Sequence, residues 1–197
     1  MKYKNIVFDF GNVIGKFNGR YILQQFFPAD ADFDFLLSVF FRGWDELDAG
    51  TVDYDEYARE TALLLPEEAA GAADAFFREW PRHLTLLQDT LDFVDELKAR
   101  NVPVFLLSNA PTYFADWALE RHSFLNKFDG IVFSAPLKMS KPSPEIYQYL
   151  FSTYHLKPEE CFFIDDLERN INAARALGMD GLLFTGDIDK VKAAIDF

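Results

Sequence analysis

The chain has 197 residues, half of them hydrophobic and 22 of them Phe, and this composition excludes an intrinsically disordered protein. Its formal net charge of -13 argues against nucleic acid and anionic membrane as main partners, because both repel an acidic surface. No apolar run reaches membrane-spanning length and no secretory signal pattern is present, so we expect a cytoplasmic protein. The single cysteine, Cys161, cannot form an internal disulfide and is expected to be a small buried hydrophobic residue.

Five short apolar runs are typical of strands buried on both faces of a parallel sheet, because they show little alternation of polar and apolar residues. In chain order they are Ile6 to Phe10, Val104 to Leu107, Gly130 to Phe133, Cys161 to Ile164 and Gly181 to Phe184. Between the later runs apolar residues recur at helical spacing, and Gly178 is placed to end one of these helices. This alternation predicts a doubly wound α/β domain with a parallel sheet.

The segment from residue 15 to residue 83 departs from this alternation. Its apolar residues cluster at helical spacing in four stretches, Tyr21 to Phe27, Phe33 to Trp44, Tyr54 to Leu65 and Glu67 to Trp80. Proline and glycine residues separate the stretches. The sequence therefore predicts a helical module inserted after the first strand, with residues 1–14 and 84–197 forming the α/β core and residues 15–83 forming the insertion.

Acidic residues follow two of the predicted strands. Asp9 comes after the first apolar run, and Asp165 and Asp166 come directly after the fourth. Side chains at the carboxyl ends of such strands project into the crevice where open α/β sheets bind ligands. Three carboxylates repel one another there unless they surround a hard cation such as Mg²⁺, which takes oxygen ligands and usually also binds substrate phosphate. The pattern predicts a phosphate-handling enzyme with one carboxylate available as a nucleophile.

Four motifs, each at a strand end or a helix start, carry a more specific signal. They are IVFDFGNV at 6–13, VFLLSN at 104–109, KPSPEIY at 141–147, and FIDD at 163–166 followed by Asn170 and Ile171. Taken singly, Asp9 and Ser108 also suit a turn or a helix start, and Lys141 a solvated loop. In this order, the four motifs resemble the haloacid-dehalogenase-like hydrolase superfamily, and specifically its phosphatases with a helical cap after the first strand.

The resemblance implies a Rossmann-like core and a Mg²⁺ cofactor. Asp9 would be the nucleophile, forming an aspartyl-phosphate that water then hydrolyses. Mg²⁺ would be held by Asp9, the backbone carbonyl of Gly11 and Asp165, with Asp166 binding it directly or through water.

The same resemblance implies the phosphate contacts. Ser108 and the backbone N–H of Asn109 would hydrogen-bond the phosphoryl oxygens. Lys141 would bring a positive charge to the phosphate and pair with the acids. The predicted catalytic residues are therefore Asp9, Ser108 and Lys141, and the predicted substrate contacts are Ser108, Asn109 and Lys141.

One position departs from the family pattern. Most phosphatases of the superfamily carry a second Asp two residues after the nucleophile, which protonates the leaving oxygen and later activates water. Here that position is Gly11. The chain is most similar to a sugar-phosphate phosphatase subset with Asp-x-Gly-Asn-Val, some members of which have an acid shortly downstream, where this chain has Gly15-Lys16-Phe17-Asn18. Glu46 and Asp48 from the insertion are candidates to replace the missing acid.

Residues just before Gly50 are candidates for contacts with the leaving group. They are Arg42, Trp44, Glu46 and Asp48. An ordinary structural explanation competes with this one, since Trp44 suits the core of the insertion and Arg42 and Glu46 are spaced for an i,i+4 surface pair.

The expected substrate is a small phosphorylated metabolite, and the resemblance favours a sugar phosphate. Two alternatives stay open. A weak or inactive binding protein on the same fold would explain the missing acid. A haloacid dehalogenase is less consistent with the tandem acids Asp165 and Asp166. The sequence does not indicate an oligomeric state.

Overall fold

The computed structural model describes residues 1–197, which form seven strands. The strands are β1 (Asn5–Phe8), β2 (Gly15–Lys16), β3 (Thr85–Leu86), β4 (Val104–Ser108), β5 (Gly130–Phe133), β6 (Cys161–Asp165) and β7 (Asp180–Leu183). Five of them form a parallel sheet in the order β5-β4-β1-β6-β7. The first strand is thus central, and its neighbours come from distant parts of the chain.

Eleven α-helices accompany the strands. They are α1 (Gly19–Leu23), α2 (Phe33–Phe40), α3 (Trp44–Asp48), α4 (Tyr54–Leu63), α5 (Ala70–Glu79), α6 (Gln88–Ala99), α7 (Thr112–Arg121), α8 (Ser134–Leu137), α9 (Pro144–Thr153), α10 (Glu168–Ala176) and α11 (Ile188–Ala194). None of the helices is both long and apolar enough to cross a bilayer.

The predicted α/β class with a parallel sheet is confirmed. Successive residues of a strand point to opposite faces of the sheet, and here both faces are buried. On β1, Ile6 and Phe8 belong to the larger apolar cluster and Val7 to the smaller one. This two-sided burial explains the continuous apolar runs in the sequence. Cys161 is fully buried and unpaired, as expected.

The predicted strand Gly130 to Phe133 has the bounds of β5, and the ends of the other four predicted strands shift by one or two residues. β1 ends at Phe8 instead of Phe10, because the chain turns at this point: the N–H groups of Ile14 and Gly15 both donate to the Phe10 carbonyl, at 2.8 and 2.9 Å. At the other end of the chain, Gly178 follows α10 with a φ of +91°, as its predicted role in ending that helix requires.

The residues between β2 and β3 are helical, in agreement with the periodicity. The predicted stretch Phe33 to Trp44 is not one helix: α2 ends at Phe40, and α3 begins at Trp44 after Gly43, which has a left-handed φ of +76°. β2 and β3 were not predicted, since two residues carry no periodic signal. They pair antiparallel, so the chain enters and leaves the helical segment side by side.

Candidate active site

A cavity of about 260 Å³ opens at the carboxyl ends of the central strands. Its walls include six of the seven predicted site residues, Asp9, Gly11, Ser108, Asn109, Lys141 and Asp166. The seventh, Asp165, is fully buried and forms an ion pair with Lys141. Strands β1, β4 and β6 are neighbours in the sheet, which explains why residues more than 150 positions apart in sequence meet here.

The three predicted metal ligands with carboxylates are close together. Asp9, Asp165 and Asp166 each offer a ligand oxygen, and these oxygens lie within 4.8 Å of one another. Oδ1 of Asp9 accepts hydrogen bonds from the Phe10 N–H at 2.7 Å and makes an ion pair with Lys141 at 2.8 Å. Its Oδ2 has no protein partner and is available to a ligand. Oxygen donors at this spacing fit a hard divalent cation.

Lys141 is buried between the acids. Its Nζ lies 2.8 Å from Asp9 Oδ1, 2.7 Å from Asp165 Oδ2 and 2.8 Å from the carbonyl oxygen of Leu107, which accounts for all three of its protons. Burial lowers the pKa of Lys141, but the charges of Asp9 and Asp165 outweigh it and the pKa is raised. Lys141 is therefore a permanent cation inside the site and not a solvated loop charge.

Asn109, the residue directly after β4, holds Lys141 in place. Its Oδ1 accepts from the Lys141 N–H at 2.8 Å, and its Nδ2 donates to the Lys141 carbonyl at 2.9 Å. The side chain of Asn109 is thus committed to positioning the lysine, which leaves only its backbone for the predicted phosphate contact. Ser108 is 2% exposed, and its hydroxyl makes a single long contact, 3.4 Å to the Asn109 carbonyl, so it is free to turn to a ligand.

Two asparagines position the acids and received no role from the sequence. Asn170 Nδ2 lies 3.0 Å from both oxygens of Asp165. Asn12 has a left-handed φ of 52° and donates from Nδ2 to Asp166 at 2.9 Å. The sequence signal that could have identified these two asparagines is their position in the first and fourth motifs. Asn is a residue that tolerates the left-handed region, which fits the turn at Asn12.

The pKa of each cavity-lining acid in the cluster is raised. Burial raises the pKa of Asp9 to about 7, against the opposing charge of Lys141 and with added repulsion from Asp165. Burial also raises the pKa of Asp166, where the hydrogen bond from Asn12 lowers it and the charge of Asp165 raises it. A bound cation would offset this repulsion, so the arrangement of the acids fits a divalent cation.

The insertion supplies one acid to the cavity. Asp48, the last residue of α3, lines the same cavity as Asp9. Its Oδ1 is shielded from solvent and has no hydrogen-bond partner. Burial raises the pKa of Asp48 to about 7, the charges of Asp9 and Asp45 raise it further, and the charge of Lys141 and the nearby Trp44 side chain lower it.

The other acid considered from the sequence lies elsewhere. Glu46 is exposed and borders a separate surface groove together with Arg42. The expected ion pair between Arg42 and Glu46 does not form, because the left-handed Gly43 interrupts the helix that would set their i,i+4 spacing. Neither residue lines the cavity around Asp9.

Aromatic side chains form the outer wall of the cavity. Trp44 packs against Phe17 and Trp80, with ring centroids 5.9 and 5.4 Å apart, and Trp80 stacks on Phe114 at 5.4 Å. Trp44 thus packs in the insertion and lines the cavity as well. Arg169 lies at the rim, exposed and without an acidic partner within 4 Å, so it is the second cation of the cavity after Lys141.

A family model described as haloacid dehalogenase-like hydrolase matches residues 3–178, and the chain belongs to that family. The resemblance inferred from the four motifs is confirmed, and with it the predicted hydrolase class.

Two of the relatives that match most of the chain are phosphatases. A D-ribitol-5-phosphate phosphatase from Bacteroides thetaiotaomicron is 30% identical over 191 residues, which cover 90% of this chain and 89% of the relative. A sesquiterpene phosphatase from Aspergillus oryzae is 26% identical over 186 residues, covering 94% and 92%. A family enzyme from B. thetaiotaomicron, solved in complex with magnesium and inorganic phosphate, has a TM-score of 0.72 at 22% identity, covering 96% of this chain and 98% of that one. At this identity, the structural likeness concerns the fold.

Proposed function

We propose that the chain is a Mg²⁺-dependent phosphatase that hydrolyses small phosphate monoesters through an aspartyl-phosphate on Asp9. The observation that carries the proposal is the cluster of three carboxylates, with ligand oxygens within 4.8 Å, built around a buried lysine. The family membership and the phosphatase relatives support the reaction class. The magnesium and phosphate bound by the related enzyme support the choice of cation.

Asp9 would carry the phosphoryl group. Its oxygen attacks phosphorus, the bond between phosphorus and the leaving oxygen breaks, and water then attacks phosphorus and frees the carboxylate. Asp9, Asp165, Asp166 and the Gly11 carbonyl would hold Mg²⁺, which supplies the positive charge that lets a carboxylate approach an anionic phosphate. Asn12 and Asn170 keep the acids oriented before the substrate arrives.

Three further residues would act on the phosphoryl oxygens. The Ser108 hydroxyl and the Asn109 N–H would donate hydrogen bonds to them. Lys141 would contribute its charge from a fixed position, because Asn109 and three oxygen acceptors hold it. A buried and preoriented cation stabilises developing negative charge more effectively than a mobile one in water.

We also propose that the helical segment, residues 15–83, acts as a cap over this site. It brings Phe17, Trp44, Asp48 and Trp80 to the cavity wall. Closing the wall around the substrate would exclude water from the aspartyl-phosphate until hydrolysis.

A small sugar or polyol phosphate is the substrate that we propose. Aromatic faces such as Trp44 pack against the C–H surface of a sugar, and the polar groups Asp48 and Arg169 remain for hydroxyl contacts. The D-ribitol-5-phosphate phosphatase supports this choice.

The direct test is phosphate release from a panel of monoesters, with Mg²⁺ and with a chelator. The panel includes sugar and polyol phosphates, a terpenoid phosphate and an aryl phosphate. We expect release that depends on Mg²⁺, with a polyol or sugar phosphate as the best substrate. Binding of phosphate without release from any ester would instead support an inactive binding protein. Release that the chelator leaves unchanged would contradict the cation requirement.

A further inference from the structure

The cavity lacks an acid at the position where the family usually has one, although there is room for it. A methyl group added to Gly11 would meet only Asp9 Oδ2, at 4.0 Å. Gly11 is not among the glycines with a left-handed backbone, so its conformation does not require glycine. The proton donor that a phosphate ester with a poor leaving group needs must therefore come from another part of the chain.

Asp48 is the acid that the cavity offers in its place. Of the acids lining the cavity, Asp9 and Asp166 belong to the carboxylate cluster, which leaves Asp48 as the one outside it. Its Oδ1 is buried without any hydrogen-bond partner. A buried polar atom without a partner is unfavourable unless a ligand or a proton completes it.

The helix that carries Asp48 is fastened to the core. The Ser134 hydroxyl donates to the Asp48 carbonyl and accepts from the Ala110 N–H at 2.8 Å. Two residues further on, Gly50 packs so closely that a methyl group there would lie 2.2 Å from the Ala135 carbonyl oxygen. These contacts fix the end of α3 against α8 and the loop after β4. The fold itself therefore holds Asp48 at the cavity wall.

We propose that Asp48 is the general acid and base of the reaction, supplied by the helical segment in place of the missing acid at position 11. This inference rests on the proposed phosphatase activity. In the first step, an Asp9 oxygen bonds to phosphorus while the bond between phosphorus and the leaving oxygen breaks, and Asp48 transfers its proton to that oxygen. In the second step, Asp48 takes a proton from the water that attacks phosphorus, the bond from phosphorus to Asp9 breaks, and phosphate leaves. One water is consumed, and both aspartates return to their starting forms.

The role predicts a pattern that depends on the leaving group. An alkyl phosphate needs protonation of its leaving oxygen. In contrast, 4-nitrophenyl phosphate releases 4-nitrophenolate, which is stable without that proton. Asp48→Asn should therefore lower kcat for the alkyl ester by about 10²–10⁴-fold and affect the first step for the aryl ester much less. Asp55→Asn, the same change at an exposed position of α4, is the matched control and should leave both rates near wild type.

Phosphorylation of Asp9 is measured by the burst of 4-nitrophenol, which separates the first step from the hydrolysis that follows. Inhibition by inorganic phosphate shows whether the Asp48→Asn site is still formed.

A second variant keeps the test independent of folding. Adding Gly11→Asp to Asp48→Asn should restore much of the lost alkyl phosphatase activity, because position 11 has room for an acid beside Asp9.

The outcomes separate the two proposals. No Mg²⁺-dependent release by the wild type from any ester overturns the phosphatase proposal, and the role of Asp48 with it. If the wild type is active and Asp48→Asn loses the same factor on the alkyl and the aryl ester in the first step, or loses nothing, Asp48 is not the acid and the phosphatase proposal stands. Selective loss on the alkyl ester with rescue by Gly11→Asp supports Asp48 as the acid.

Discussion

At the scale of single residues, Lys141 is the element on which the acidic site depends. It is 3% exposed and contacts Asp9 and Asp165 at 2.8 and 2.7 Å. Two buried carboxylates without this cation would carry an unfavourable charge into the protein interior. The same residue therefore stabilises the fold and, in the proposed reaction, would supply a positive charge to the phosphate.

We predict that Lys141→Met lowers the free energy of unfolding by about 3–5 kcal/mol, since it leaves buried carboxylates without their partner. Lys138→Met is the matched control, because Lys138 is exposed and makes no ion pair; it should change stability by less than about 0.5 kcal/mol. Urea denaturation of the metal-free proteins measures both. Equal stability of the two variants would show that the buried ion pairs do not hold the site together.

The sequence predicted the clustered acids better than the residues that orient them. Asp9, Asp165 and Asp166 follow apolar strands, and that placement alone gathers them at one edge of the sheet. Asn12 and Asn170 act through hydrogen bonds to Asp166 and Asp165, which depend on a turn and on the first turns of α10. Such contacts have no periodic signal, so only the structure assigns them.

At the scale of secondary-structure elements, the short helix α3 determines which residues of the helical segment reach the site. The sequence named both Glu46 and Asp48, and a helix of five residues does not by itself decide between them. The left-handed Gly43 sets the start of the helix and the contacts of Ser134 and Gly50 set its end. These are tertiary contacts between segments about 85 residues apart, which a local pattern does not contain.

Gly50→Ala should weaken the attachment of α3 to the core. Gly50 has a φ of +69°, which costs a residue with a side chain about 1–2 kcal/mol, and the added methyl group would collide with the Ala135 carbonyl. We expect a loss of stability of at least that size and a lower kcat for alkyl phosphates, because Asp48 is displaced.

Gly71→Ala is the control for this change. Gly71 lies in α5, and an added methyl group meets nothing within 4 Å, so the variant should be as stable as the wild type or up to about 1 kcal/mol more stable. Chemical denaturation and steady-state rates measure both variants. If Gly50→Ala behaved like Gly71→Ala, α3 would not depend on the close contact with α8.

At the scale of the whole molecule, an acidic protein must attract an anionic substrate. The net charge of -13 repels a phosphate dianion at long range, and Lys141 is buried and already paired with two acids. Arg169 at the rim is exposed and free of acidic partners within 4 Å. It is therefore positioned to bring the phosphate into the cavity.

Arg169→Gln should lower kcat/KM for a phosphate monoester about two- to fivefold at low ionic strength, the size typical of an exposed charge pair. The effect should shrink as salt is added, because salt screens exposed charges. Arg59→Gln changes the net charge equally at an exposed position away from the cavity and should have little effect. The same loss in both variants would assign the effect to net charge instead of to the rim.

The measurement that bears most directly on the proposed chemistry is the identification of the phosphorylated residue. The enzyme is mixed with Mg²⁺ and substrate, quenched rapidly in acid and reduced with borohydride, which converts an aspartyl-phosphate to homoserine that peptide mass spectrometry locates. We predict homoserine at position 9 and none in Asp9→Asn, which should also release no phosphate. A phosphoryl group on another residue, or full turnover in Asp9→Asn, would contradict an aspartyl-phosphate mechanism at Asp9.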